Sequence, residues 1–194
     1  MEERMLSRFI ARNHHDTLFT DGELKAIKDG NIDELVSTFI SLNSDYYTSQ
    51  LQCTLNSLKK FLGQGVELEN ITYLKEYTGN FIGCQIMDGD IDVFLGVSGE
   101  SGSLLELAST FADEQMSEFD SDAYDALCEM INCINGAYAA RLCDKEIEVR
   151  LHPPVFYMNT TLEAEKGLYE ASFKLGENEF KLLMVANDKF RLSA

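Results

Sequence analysis

The chain has 194 residues, enough for one sizeable core or a core with a small appendage. Its 45 % hydrophobic and 25 % charged residues suit a soluble globular protein. No apolar run nears the roughly 20 residues of a spanning helix, the first dozen residues lack the apolar stretch of a secretory signal, and the expectation is a cytoplasmic protein. A net charge of −17 repels phosphate backbones and anionic lipid alike, which argues against nucleic acid and membrane as partners.

Taken in chain order, residues 1–48 read as a helical N-terminal extension. Leu6, Phe9 and Ile10 suggest a first helix, Leu24 and Ile27 a second, and Ile32, Leu35, Val36, Phe39 and Ile40 a third. Gly22 and Gly30 punctuate them. From residue 49 a single domain is expected to run to 194. It opens with an amphipathic helix over 49–63, whose apolar positions are Leu51, Leu55, Leu58 and Leu62 and whose stop is Gly63. Apolar runs at 81–87 and 91–95 flank Asp88-Gly89-Asp90, which predicts a hairpin with a tight turn. The Gly- and Ser-rich stretch 96–103 reads as a turn with a Ser helix cap before Leu104, Leu105, Leu107, Ala108 and Phe111. It lacks both the G-x-G-x-x-G order and a Gly-Lys-Ser/Thr step, so a phosphate cradle is not indicated.

Residues 121–141 carry the clearest helix, capped by Ser121 or Asp122. Ala123, Leu127, Met130, Ile131, Ile134, Ala137, Tyr138 and Leu142 make a wide apolar face. A strand over 145–151 follows and Pro153-Pro154 ends it or marks its edge. Strands over 168–175 and 179–186 flank Gly176-Glu177-Asn178. This order predicts an α+β fold, helices packed on a largely antiparallel sheet. The five cysteines show no C-x-x-C and read as buried thiols in a reducing compartment. His14, His15 and His152 read as solvated or packed side chains, so no metal site is expected.

The chemistry is carried by the polar side of the 121–141 helix. Asp125, Glu129, Asn132 and Gly136 stand at i, i+4, i+7 and i+11, near whole turns, and so share one stripe. Glu129 and Asn132, three apart, set a charged acceptor beside an amide that both donates and accepts. Gly136 costs about 1 kcal/mol in a helix interior relative to Ala, a cost tolerated where another backbone or a ligand comes close. By itself an E-x-x-N pair is what any solvated helix face offers, and a glycine there equally fits close helix packing. Asn135, also polar and nearby, is an alternative member if the register shifts.

Asp125, Glu129, Asn132 and Gly136, followed by Pro154 at 22 positions past Asn132, together resemble the signature of the CheC/CheX/FliY chemotaxis phosphatase family. The resemblance covers roughly the C-terminal three quarters of the chain. The earlier helix offers only Glu106-Leu107-Ala108-Ser109, with Ser where the motif has Asn, so one site per chain matches the CheX pattern. The resemblance implies a CheC/CheX-like fold and a phosphatase for the aspartyl phosphate of a CheY-type response regulator. It implies that Asn132 holds the attacking water, that Glu129 pairs with a lysine of the receiver domain, and that Asp125 and Gly136 lie in the docking surface. It further implies that the only metal is a magnesium on the partner, with no cofactor of this chain's own, and that the protein is a homodimer. The competing expectation is a non-catalytic dimeric interaction or switch module that binds a receiver domain.

Overall fold

In the computed structural model the described residues are 4–14 and 18–193; the expectation for His15 lies outside them. Three short helices come first: α1 (Arg4–Asn13), α2 (Asp21–Asp29) and α3 (Ile32–Phe39). Thr20 and Glu23 close a capping box at the start of α2, and Gly30 ends it in the left-handed conformation, φ 64°. The Asn31 side chain caps α3. The next helix, α4 (Asp45–Leu62), begins four residues before the expected Ser49. Its added turn buries Tyr47, whose hydroxyl donates to the Gly167 carbonyl at 2.8 Å. Ser49, Gln50, Gln52, Thr54 and Ser57 of α4 are buried beside its leucines, so the helix is covered on more sides than its apolar stripe indicates.

All strand pairs are antiparallel: β1 (Val66–Gly89), β2 (Val93–Gly99), β3 (Val149–Leu151), β4 (Val155–Leu175), β5 (Asn178–Ala186) and β6 (Phe190–Ser193). Their order is β3-β1-β2-β5-β4-β6, and a further β1–β4 pairing closes a loop through four of them. That closure needs long, bent strands. Strand β1 has 24 residues and β4 has 21, and register shifts at Leu68/Asn70 and Leu74/Glu76 bend their shared ladder.

The remaining helices are α5 (Ser101–Ala112) and α6 (Ser121–Cys143). The main core joins Leu104 and Leu107 of α5, Leu127 and Ile131 of α6, and Leu51 and Leu55 of α4 to Leu68, Val97 and Leu182 of the sheet. Leu6 and Phe9 of α1 and Leu35 and Val36 of α3 belong to the same cluster. Ion pairs Arg8–Glu67 (2.8 Å), Arg12–Glu69 (2.7 Å) and Arg141–Asp33 (2.8 Å) fasten the N-terminal helices to β1 and α6. A smaller cluster, including Ile82, Phe94, Leu162 and Val185, fills the space where the sheet folds over itself.

Several local expectations are corrected. Strands β1 and β2 do pair, but their last matched residues are Met87 and Val93, with five residues between them. Asp88 and Gly89 instead continue β1 against Arg150 and Val149 of β3, so the Asp-Gly step is not a two-residue turn. The Gly- and Ser-rich stretch is strand as far as Gly99, and Glu100 precedes α5 without a side-chain cap. Asp120 caps α6, its carboxylate accepting from the Asp122 amide at 3.1 Å. Ala137 is exposed rather than on the apolar face. The strand expected over 145–151 is reduced to β3, because Glu146 turns at φ 61° after α6. The strand expected over 168–175 is the end of β4, which starts directly after Pro154. It is joined to β5 by Gly176-Glu177 alone, with Gly176 at φ 61°.

Candidate functional site

Helix α6 lies over β1 with Leu127, Met130, Ile131, Ile134 and Tyr138 buried. The sequence places the opposite stripe outward, and so does the structure: Asp125, Glu129 and Gly136 are exposed and Asn132 is half-buried. A Cβ added to Gly136 would meet nothing within 4 Å, so close packing inside this chain does not account for the glycine. Asn135 is fully buried, which removes the shifted register.

Glu129 and Asn132 touch: Asn132 Nδ2 donates to Glu129 Oε2 at 3.3 Å. The Cys133 thiol donates to the other carboxylate oxygen at 3.5 Å. Among the described residues neither Glu129 nor Asp125 forms an ion pair, and both side chains are exposed. Beneath the stripe lies Gln85 of β1, 1 % exposed. Its Nε2 donates to Asn132 Oδ1 and to the His152 carbonyl, both at 2.8 Å. Its Oε1 accepts from Asn135 Nδ2 at 3.1 Å.

Pro154, 22 positions from Asn132 in the chain, stands beside the same stripe. With Phe156, Ser121, Tyr124, Asp125 and Glu129 it lines an open depression of about 500 Å³. Tyr124 and Phe156 stack there with centroids 4.2 Å apart and planes 11° from parallel, and the Phe119 ring meets both edge-on. Along β4 two more apolar side chains are exposed, Val155 at 43 % and Met158 at 52 %, the latter on the Phe156 face of the strand.

The thiols near the stripe are not poised as nucleophiles. Burial, with the Asp125 charge behind it, pushes the Cys128 thiol up to about 11. Burial and then the bond to Glu129 raise Cys133 as well. Cys53, Cys84 and Cys128 are buried, as expected, whereas Cys133 is half-buried and Cys143 exposed; none is in a disulfide. The His152 ring pairs with Asp88 at 2.9 Å, and His14 pairs with Glu23 at 2.8 Å. Among the described residues no group of three or more His, Cys, Asp or Glu is placed to hold a metal, and no helix is long and apolar enough to cross a membrane.

Gln85, Tyr124 and Phe156 were not singled out from sequence. Gln85 had a signal, being the one amide in the otherwise apolar run 81–87. The two aromatic rings had none, since only the fold stacks them.

A single strong helix with an outward Glu/Asn pair, laid on an antiparallel sheet, defines a class of fold that comparison with known proteins identifies. Residues 81–175 match the family described as Chemotaxis phosphatase CheX. No curated protein matches the chain. Its fold is that of CheX from Desulfovibrio desulfuricans, at TM-score 0.61 and 16 % identity over 74 % of this chain and 99 % of that one. CheX from Vibrio vulnificus gives TM-score 0.62 and 15 % identity over 76 % and 100 %. The CheX-CheY-BeF3-Mg complex from Borrelia burgdorferi gives TM-score 0.61 and 19 % identity over 74 % and 98 %. The stretch 81–175, just under half of the chain, thus matches the CheX family, and the fold of the chain is the mixed α+β, CheC-like fold preceded by helices.

Proposed function

We propose that this chain dephosphorylates the aspartyl phosphate of a CheY-type receiver domain, with α6 as the docking helix. The observation that carries the reading is the outward Glu129–Asn132 pair, in contact at 3.3 Å and uncovered by the N-terminal helices. The match of residues 81–175 to the CheX family supports it, as does the likeness in fold to the Borrelia burgdorferi CheX, which has been crystallised with CheY, BeF3 and Mg. Glu129, in no ion pair among the described residues, pairs with a receiver lysine and fixes the dock. Asn132 holds a water in line with the phosphorus. Attack forms a P–O bond to the water oxygen and breaks the P–O bond to the aspartate, which leaves as carboxylate, while the water's proton passes to the phosphate product or solvent. Positioning and charge stabilisation do most of the work in such a transfer, and an amide orients water without acting as a base.

Asp125 and Gly136 flank the pair within the docked surface, the first adding negative charge and the second letting the partner's backbone approach. The magnesium is the receiver's, and this chain supplies no cofactor. The protein acts in the cytoplasm as a homodimer. Support for the dimer is the stretch Val155 to Met158, in which Val155 and Met158 are exposed and whose β6-side edge is unpaired among the described residues until Thr161.

The test is the decay of a phosphorylated receiver with wild-type protein and with Glu129→Ala and Asn132→Ala. The expected result is faster decay with wild type and loss of that acceleration in both folded variants. Binding of a receiver without any acceleration by wild type would overturn the reading and leave a non-catalytic interaction module.

A further inference from the structure

The relay beneath Asn132 has a direction that follows from the chemistry of its two ends. A backbone carbonyl only accepts hydrogen bonds, so the Gln85 atom facing the His152 carbonyl at 2.8 Å is the amide nitrogen, Nε2. The second proton of Nε2 then points to Asn132, and the Asn132 atom 2.8 Å away is an acceptor, the oxygen. That places the Asn132 nitrogen on the far side, where it meets a second obligate acceptor, the Glu129 carboxylate, at 3.3 Å. On the inner side Gln85 Oε1 is filled by Asn135 Nδ2 at 3.1 Å. These bonds agree with one another and leave only Asn135 Oδ1 of the relay without a partner among the described residues, whereas reversing Gln85 would set its oxygen against the His152 carbonyl and reversing Asn132 would set donor against donor at Gln85 and acceptor against acceptor at Glu129. Gln85 and Asn135 are 1 % and 0 % exposed, so the opposed groups of a reversed Gln85 would add to the polar atoms buried without a partner there.

We propose that Gln85 is a positioning residue: it fixes which end of the Asn132 amide faces outward, and so holds Asn132 in one orientation before a partner arrives. The consequence for catalysis rests on the phosphatase reading above. With Oδ1 anchored inward, Asn132 retains one free Nδ2 proton and one Oδ1 lone pair for the water and phosphoryl oxygens. A freely rotating amide would offer these in two arrangements. Gln85 does not touch the partner, so its loss disturbs the chemical step and leaves docking through α6 in place. A misplacement on the order of 1 Å can cost about 100-fold in rate.

Two measurements decide this. In wild-type protein labelled with 15N and 13C, couplings across the hydrogen bonds are expected from Gln85 Nε2 to both the Asn132 side-chain carbonyl carbon and the His152 backbone carbonyl carbon. Absence of either would overturn the assignment, and this measurement needs no variant to fold. In saturation kinetics with a phosphorylated receiver, Gln85→Met is expected to lower kcat about 10- to 100-fold with KM within about twofold. Asn132→Ala serves as the reference. An unchanged kcat in Gln85→Met alongside a collapsed kcat in Asn132→Ala would overturn the positioning role. An unchanged rate in Asn132→Ala would instead bring down the phosphatase reading, leaving the couplings to decide the Asn132 orientation alone.

Discussion

Asn132→Asp keeps the size of the side chain and exchanges its outer N–H2 for oxygen. Gln85 continues to donate to the inner oxygen, so the outer one faces Glu129 Oε2 at the present 3.3 Å separation. Two unit charges that far apart repel by about 1 kcal/mol at the dielectric constant of water and by about 5 kcal/mol at an effective value of 20. Glu129 is exposed and Asn132 only half-buried, so the cost lies near the lower figure, about 1–2 kcal/mol. That repulsion acts only while both carboxylates are charged. The sign follows: a carboxylate whose folded pKa is raised destabilises the fold above that pKa, and the cost disappears as pH falls below the unfolded value. The variant is therefore expected to melt lower than Asn132→Ala at pH 7.5 and to close that gap near pH 4. At pH 7.5, where the outer donor is gone, it is expected to lose the acceleration of receiver dephosphorylation. Paired melts at the two pH values and a decay assay check both halves. A variant as stable as Asn132→Ala at pH 7.5, or as active as wild type, would refute the reasoning.

Gly136→Ala separates stability from docking: with open space at the new Cβ it is expected to gain up to about 1 kcal/mol and about 2–4 °C in Tm. In the same variant KM for the phosphorylated receiver is expected to rise several-fold at unchanged kcat; an unchanged KM would remove Gly136 from the docked surface. Arg141→Met removes bonds to Gln52 Oε1 at 2.7 Å and Asp33 Oδ2 at 2.8 Å. It is expected to cost about 1–2 kcal/mol, read as a Tm lower by roughly 4 °C, with dephosphorylation unchanged below the transition.

The helices and the α6 stripe were legible because helical periodicity is a property of the local chain. Over the 23 residues of α6 nothing interrupts it, so Glu129 and Asn132 fall on the solvent side whatever packs beneath. The long strands were not legible as such. Only 81–87 of β1 reads as strand, because the earlier part passes two register shifts, each of which breaks the alternation between faces. The Gly- and Ser-rich end of β2 looked like a turn because the pairing that makes it a strand comes from β1 and β5, distant in the chain.

For the candidate site the division is similar. The sequence by itself determined the stripe Asp125, Glu129, Asn132 and Gly136 and the family it points to. Only the tertiary structure decided what the stripe rests on: Pro154 and Phe156 beside it, Asn135 buried under it, and Gln85 bonded to Asn132 from 47 residues away. The physical reason is that a helical face is set by contacts three and four residues apart, whereas the partner of a buried amide is set by where the sheet carries it.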